Sequence, residues 1–256
     1  MKNGEFSFLE TFIVPVCRFS ETSGSALIRE FFGTAFFING NGVFLTASHV
    51  ISAANQSIEA SGGFVGLCIR PTDGSGNVAS RITSIDEAKP PYDICVGTVD
   101  AKFPTSLTLA NSPVTVWQEV ASYGYPATAQ NRNAGEFWMY GRGFRGYLHR
   151  LVALGQIPGA THPDAFETSF PMPQGLSGGP LFVRGPEKNS VIGICVGVNR
   201  GESTEFLLEE LQENGELKTE RRVRIEEYGI AHDLRPLLDW QPANLGGQTL
   251  GAVAET

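Results

Sequence analysis

Three short segments carry residues whose types and surroundings suit nucleophilic catalysis. The first is Gln174-Gly175-Leu176-Ser177-Gly178-Gly179-Pro180. A serine hydroxyl attacks a carbonyl only when a base takes its proton and N–H donors hold the oxyanion that forms. Glycines around Ser177 let the backbone turn so that the amides of Gly175 and Ser177 face one point, and a side chain at Gly175 would obstruct that loop. The second segment, Phe44-Leu45-Thr46-Ala47-Ser48-His49-Val50, runs an apolar strand into small residues that deliver one histidine, the side chain whose ordinary pKa suits a general base near neutrality. The third, Tyr92-Asp93-Ile94-Cys95-Val96, sets an acidic residue at the head of an apolar strand, where it can hold an imidazole in the useful tautomer. Taken singly, each segment also has an ordinary structural explanation: a Gly-rich turn, a structural histidine, or an aspartate closing the Pro90-Pro91 turn.

The elements that must position these residues are strands. Residues 12–19, 31–38, 42–46, 63–70, 81–85 and 94–99 are short β-branched or aromatic runs separated by Gly, Asn, Pro and Ser. A second set covers 114–123, 137–146, 148–154, 165–169, 181–183, 191–198 and 222–231. Polar, turn-rich residues 100–113 form the expected crossover. The 30 glycines and 15 prolines fit many turns. The expected fold is therefore all-β, a sandwich or closed barrels. Two stretches read as helical: 206–216, where Phe206, Leu207, Leu208 and Leu211 make an apolar stripe among glutamates, and 233–240, with Asp233 as N-cap. Residues 241–256 show no pattern and read as a flexible tail or linker.

The chain order His49, Asp93, Ser177 is that of chymotrypsin-like enzymes, not of subtilisins or α/β-hydrolases. With Gly33-Thr34-Ala35-Phe36, the histidine block, the Asp93 strand and the Gly175–Pro180 block, the sequence resembles the chymotrypsin/trypsin-like serine protease family. Glu167-Thr168-Ser169 and Val120-Ala121-Ser122-Tyr123-Gly124-Tyr125-Pro126 resemble its bacterial HtrA-type branch. The likeness runs over residues 11–240. It implies two six-stranded antiparallel Greek-key β-barrels, residues 1–105 carrying His49 and Asp93 and residues 106–240 carrying Ser177 and a short C-terminal helix. It also implies a catalytic triad between the barrels, an oxyanion hole at Gly175 and Ser177, and a protein or peptide substrate.

Departures from the family shape further expectations. The zymogen branch places an aspartate before the serine, where this chain has Leu176, so the oxyanion loop is expected to be formed constitutively or ordered by a partner, substrate or self-association. Pro171 occupies the place of the charged selectivity residue. With Gln174 and the strand Val196-Gly197-Val198 it makes a pocket for a small or medium apolar side chain. Residues 200–222, dense in Glu, form an insertion: a solvated segment, or a docking or gating element for a basic substrate, a regulatory partner or a fused domain.

Other classes fit poorly. Gly141-Arg142-Gly143-Phe144-Arg145-Gly146 spells a dinucleotide motif, but no βαβ unit surrounds it. Gly175-x-Ser177-x-Gly179 matches the esterase elbow, yet no Asp lies between Ser177 and His232. His149, His162 and His232 lack metal-ligand spacing, so neither metal nor cofactor is expected. A net charge of −8 argues against nucleic acid. No segment reads as a membrane span and residues 1–5 do not read as an export signal, so the cytoplasm is expected, with Cys17, Cys68, Cys95 and Cys195 reduced and buried and Asn55-Gln56-Ser57 unglycosylated. The rival from a different class is a catalytically silent double barrel acting as a binding or scaffold module.

Overall fold

A computed structural model of the chain describes residues 8–22, 24–71, 77–102, 107–133, 136–157, 161–185, 188–212 and 215–255. Residues 1–5, which bear on the export-signal expectation, lie outside these. The first half comprises β1 (Ile13–Thr22), β2 (Ser25–Phe37), β3 (Val43–Thr46), helix α1 (Ser48–Ser61), β4 (Phe64–Ile69), β5 (Val78–Glu87) and β6 (Cys95–Val99). Its six strands close into an antiparallel barrel in the order β1-β2-β3-β6-β5-β4. Phe12, Val14, Val16, Phe36, Phe44, Leu45, Leu67 and Val96 fill its core. They are the apolar residues whose alternation defined the strands, buried on the inner face.

The second half holds β7 (Leu107–Leu109), β8 (Glu119–Gly124), a small hairpin of β9 (Gln130–Asn133) and β10 (Glu136–Met139), then β11 (Arg142–Val152), β12 (Ala165–Thr168), β13 (Pro180–Val183), β14 (Asn189–Leu211) and β15 (Leu217–Asp233). Seven strands pair in the order β13-β8-β11-β12-β15-β14-β7, and β13 also pairs with β14. That last pairing joins six strands into a ring, with β7 added in parallel alongside β14. Apolar packing is continuous between the halves: Phe12 and Ile13 share a cluster with Tyr123, Phe182, Ile194 and Leu234. The fold is thus all-β with a short C-terminal helix, α2 (Leu250–Ala254). Among the described residues no helix is long and apolar enough to cross a membrane.

Three expectations need correction. Residues 206–211 are not helical; they continue β14, which pairs with β15 in one long hairpin reaching from Gly193 opposite Asp233 to Leu211 opposite Leu217. The helix expected over 233–240 shrinks to a single 3-10 turn at Arg235–Leu237, because Pro236 permits helix only at its start. Residues 241–255 are not loose: Leu245, Leu250 and Val253 are buried against the first barrel, and Asn39 Nδ2 donates to the Val253 carbonyl at 3.2 Å. Helix α1, in turn, is an element the strand reading did not anticipate. Its buried residues Val50, Ile51 and Ala54 lie one turn apart on the face toward the barrel.

Candidate active site

His49 is the second residue of α1, carried past the end of β3 by Ala47 and Ser48. Burial of Val50 and Ile51 in the next positions fixes the helix and leaves the His49 ring exposed at its start. Asp93 lies just before β6 and meets His49 twice. The ring Nδ1–H donates to Oδ2 at 2.5 Å, and the His49 backbone N–H donates to Oδ1 at 2.9 Å. Partial burial pushes the Asp93 carboxyl up. The hydrogen bonds and charge of His49, helped by His232, outweigh this and hold it below the ordinary carboxylate range. With Nδ1 committed to a carboxylate, Nε2 is the nitrogen left to accept a proton.

A further histidine stands behind Asp93. His232 on β15 is buried, and its Nδ1 accepts the Asp93 backbone N–H at 3.2 Å. Burial lowers its pKa to about 4, despite the opposing pull of Asp93, so the ring is neutral at physiological pH. This contact links the second barrel to the acid of the first. Sequence alone gave no sign of it, since 139 residues separate the two.

Ser177 sits in the loop before β13. Thr34, wholly buried on β2, clamps this loop from the other barrel. Its N–H donates to the Ser177 carbonyl at 2.8 Å, its hydroxyl donates to the Gly175 carbonyl at 2.8 Å, and the same hydroxyl oxygen accepts the Tyr125 N–H at 3.1 Å. A Cβ on Gly178 would lie 2.1 Å from the Thr34 carbonyl and 3.0 Å from the Ala47 nitrogen, so the backbone beside Ser177 abuts the backbone that leads to His49. The Ser177 hydroxyl itself has no hydrogen bond to the His49 ring in this arrangement, and none to any described residue.

The orientation of the two amides follows from their peptide planes. In a trans peptide the N–H points opposite the preceding carbonyl. The Gln174 carbonyl accepts the Ala127 N–H at 2.7 Å, and the Leu176 carbonyl accepts the Gly179 N–H at 2.9 Å. The N–H groups of Gly175 and Ser177 therefore point away from those partners, and neither donates to a backbone carbonyl of a described residue. Gly175 has φ of 94°, and a Cβ there would fall 2.5 Å from the Tyr125 carbonyl and 2.8 Å from the Phe31 ring. Only glycine fits.

Of the expected pocket residues, Pro171 and Gln174 are exposed, and Met172 is the buried residue between them. Val196 and Gly197 on β14 are half-buried and Val198 is exposed. Val196 packs with Val152, Ala165 and Ile230. Met172, which nothing in the sequence marks out from ordinary core residues, packs beside Gly229: a Cβ there would meet its Cγ at 2.6 Å and the Thr168 hydroxyl at 2.6 Å. Among the described residues no group of His, Cys, Asp and Glu is arranged to hold a metal. The four cysteines are free and buried, and burial raises each thiol pKa, Cys68 to about 11 and Cys195 to about 12. They remain protonated and unreactive near neutrality.

Two Greek-key β-barrels packed on one another define the chymotrypsin-like class of fold. The trypsin-like peptidase domain profile matches residues 33–194, and the chain belongs to that family. Solved structures agree in fold. An HtrA-type protease, a serine-to-alanine variant of AlgW with a decapeptide, superposes with a TM-score of 0.57 at 16% identity, covering 91% of this chain and 63% of that one. Deg5 superposes at 0.51 with 18% identity, over 77% of this chain and 87% of its own. An inactive form of Rv3671c from M. tuberculosis H37Rv, again a serine-to-alanine variant, gives 0.50 at 17% identity, over 100% and 92%. The chain thus spans less than two thirds of the AlgW chain. No curated protein sequence matches it significantly.

Proposed function

We propose that the chain is a serine endopeptidase that hydrolyses peptide bonds through His49, Asp93 and Ser177. The observation that carries this is His49, held by one ring and one backbone hydrogen bond to Asp93, beside a serine loop whose Gly175 and Ser177 amides are unspent. His49 Nε2 takes the Ser177 proton as Oγ attacks the carbonyl, and the two amides stabilise the oxyanion. Asp93 stabilises the imidazolium, which then protonates the leaving amine. A water, deprotonated by the same ring, releases the acyl group. A small closing movement of the Ser177 hydroxyl toward the ring, of the kind substrate binding commonly supplies, completes the relay. No cofactor enters.

Unspent amides favour a loop formed without a partner. The apolar side chain of Met172 beside Gly229 favours a small or medium apolar residue before the scissile bond. The unbonded Ser177 hydroxyl favours the second reading, a silent barrel used for binding. A fluorophosphonate probe decides between them. The isolated chain should gain the mass of one probe less the hydrogen fluoride expelled, mapped to Ser177 and absent from Ser177→Ala, and a peptide library should be cut after small apolar residues. A wild-type chain that neither labels nor cleaves, alone or with peptide added, refutes the peptidase; cleavage chiefly after Arg or Lys refutes the pocket.

A further inference from the structure

Beyond the barrel, β14 and β15 continue as a ribbon of two strands and nothing else. β14 has its last partner in β13 at Ile194, and β15 its first in β12 at Gly229. From residue 200 to 212 and from 215 to 225 every described residue is exposed. Directly opposed residues share a face, and alternate residues along a strand share it too. Leu211 lies opposite Leu217, Leu207 opposite Arg221, Thr204 opposite Val223 and Glu202 opposite Ile225. One face therefore gathers Leu207, Leu211, Leu217, Val223 and Ile225, which are 55%, 71%, 60%, 38% and 46% exposed. The other face alternates Lys218, Glu220, Arg222 and Arg224 with Glu210, Leu208, Phe206 and Ser203 across from them.

A two-stranded ribbon is marginal in water by itself, and natural proteins rarely leave a long apolar ribbon with two free edges uncovered. We propose that this face is an interface through which two copies of the chain associate, the apolar side chains of each ribbon packing on those of the other. The charges select this occupant. On the apolar face β14 carries Arg200, Glu202 and Glu209, net −1, and β15 carries Arg221 and Glu227, net zero. Stacked face to face about a two-fold axis along the ribbons, β14 of each copy lies over β15 of the other, so that Arg200 and Glu227, paired at 3.9 Å within one copy, meet Glu227 and Arg200 of the second, and Arg221 lies one residue pair along from the second copy's Glu209. Nucleic acid or an anionic bilayer, each of one sign, meets a ribbon of net negative charge. The five apolar side chains expose on the order of 400–500 Å² per copy, and with their charged and threonine neighbours the face approaches the roughly 800 Å² per partner of a specific interface.

The inference is independent of the peptidase reading. Light scattering coupled to size exclusion should give twice the chain mass for the wild type at micromolar concentration and the single mass for Leu207→Glu/Val223→Glu. Circular dichroism of that variant should be unchanged, because neither residue belongs to a barrel core. All native thiols being buried, Thr219→Cys on the apolar face should cross-link between copies with a short bismaleimide, and Lys218→Cys on the opposite face should not. A monomeric wild type overturns the proposal, as does assembly that survives the double substitution, cross-linking from Lys218→Cys equal to that from Thr219→Cys, or a monomer that binds vesicles or peptide through this face.

Discussion

Replacing His232 by glutamine removes one titrating group from beside the candidate triad and should flatten the acid limb of stability. In the fold the ring is buried, accepts the Asp93 N–H and has its pKa lowered to about 4 from the ordinary value of 6.5. Unfolding frees it to take a proton between those two values, so the unfolded state binds more protons there and stability falls as pH falls. A shift of that size costs about 2 kcal/mol between pH 7 and pH 5 and about 3 kcal/mol by pH 4. The charged groups bearing on the ring are Asp93, which favours its protonation, and His162 and His49, which oppose it. None of these is removed by the substitution. Glutamine retains an acceptor for the Asp93 N–H, so the structure around the acid is kept. The assay is urea unfolding of wild type and His232→Gln at pH 7, 5 and 4, with equal m-values confirming a like-for-like comparison. The wild type should lose about 2 kcal/mol more than the variant between pH 7 and 5. Curves that stay parallel through this window would show that the ring is not held neutral by burial.

Two other substitutions test the clamp and the tail. Thr34→Val keeps the side-chain shape but leaves the Gly175 carbonyl and Tyr125 N–H without their hydroxyl partner. It should cost about 1–3 kcal/mol and slow fluorophosphonate labelling of Ser177 well below the rate of Thr34→Ser; equal rates in the two variants would remove the hydroxyl from the mechanism. Ending the chain at Trp240 strips Leu245, Leu250 and Val253 from the first barrel. It should lower stability by a few kcal/mol and depress Tm by several degrees, whereas an unchanged Tm would mean that the buried tail contributes nothing.

The parts of the fold that were legible are those fixed by local pattern. Alternation in 12–19, 31–38 and 94–99 places strands because each has one face in a barrel core. The three chemistry-bearing segments stood out because their residue types are dictated by the backbone around them. Helix α1 left a usable signal in Val50, Ile51, Ala54 and Ile58, masked by its β-branched start and by the small residues before His49. Phe206, Leu207, Leu208 and Leu211 fit a helical stripe, but a strand is specified by its partner, and the partner of Leu207 is Arg221. No window of a dozen residues contains that relation. The contacts of His232 with Asp93 and of Thr34 with Gly175 join residues 139 and 141 apart, and only the closed barrels create them. The tail is the same case: its apolar residues at 245, 250 and 253 have no period, and their burial is decided by the surface they meet.

The position of Leu176 explains how the serine loop can keep its shape without the ion pair that zymogen-activated relatives use. Leu176 is wholly buried in the core of the second barrel, and its Cδ1 lies 2.7 Å from where a Cβ on Gly124 would stand. Burying a leucine stabilises by about 1.5–3 kcal/mol. The Thr34 bonds to the Ser177 and Gly175 carbonyls add roughly 0.5–1.5 kcal/mol each. Together these match what a buried ion pair gives once its desolvation is counted, and they need no newly cleaved terminus. They do require the first barrel to be in place, since Thr34 belongs to β2 and its own carbonyl is held by the Thr46 hydroxyl at 2.7 Å. Loop shape is therefore tied to the docking of one barrel on the other, the same contact that sets the backbone beside Ser177 against the segment leading to His49. On the proposed reading, any perturbation that loosens the barrels should lose the serine loop's shape and its register with His49 together.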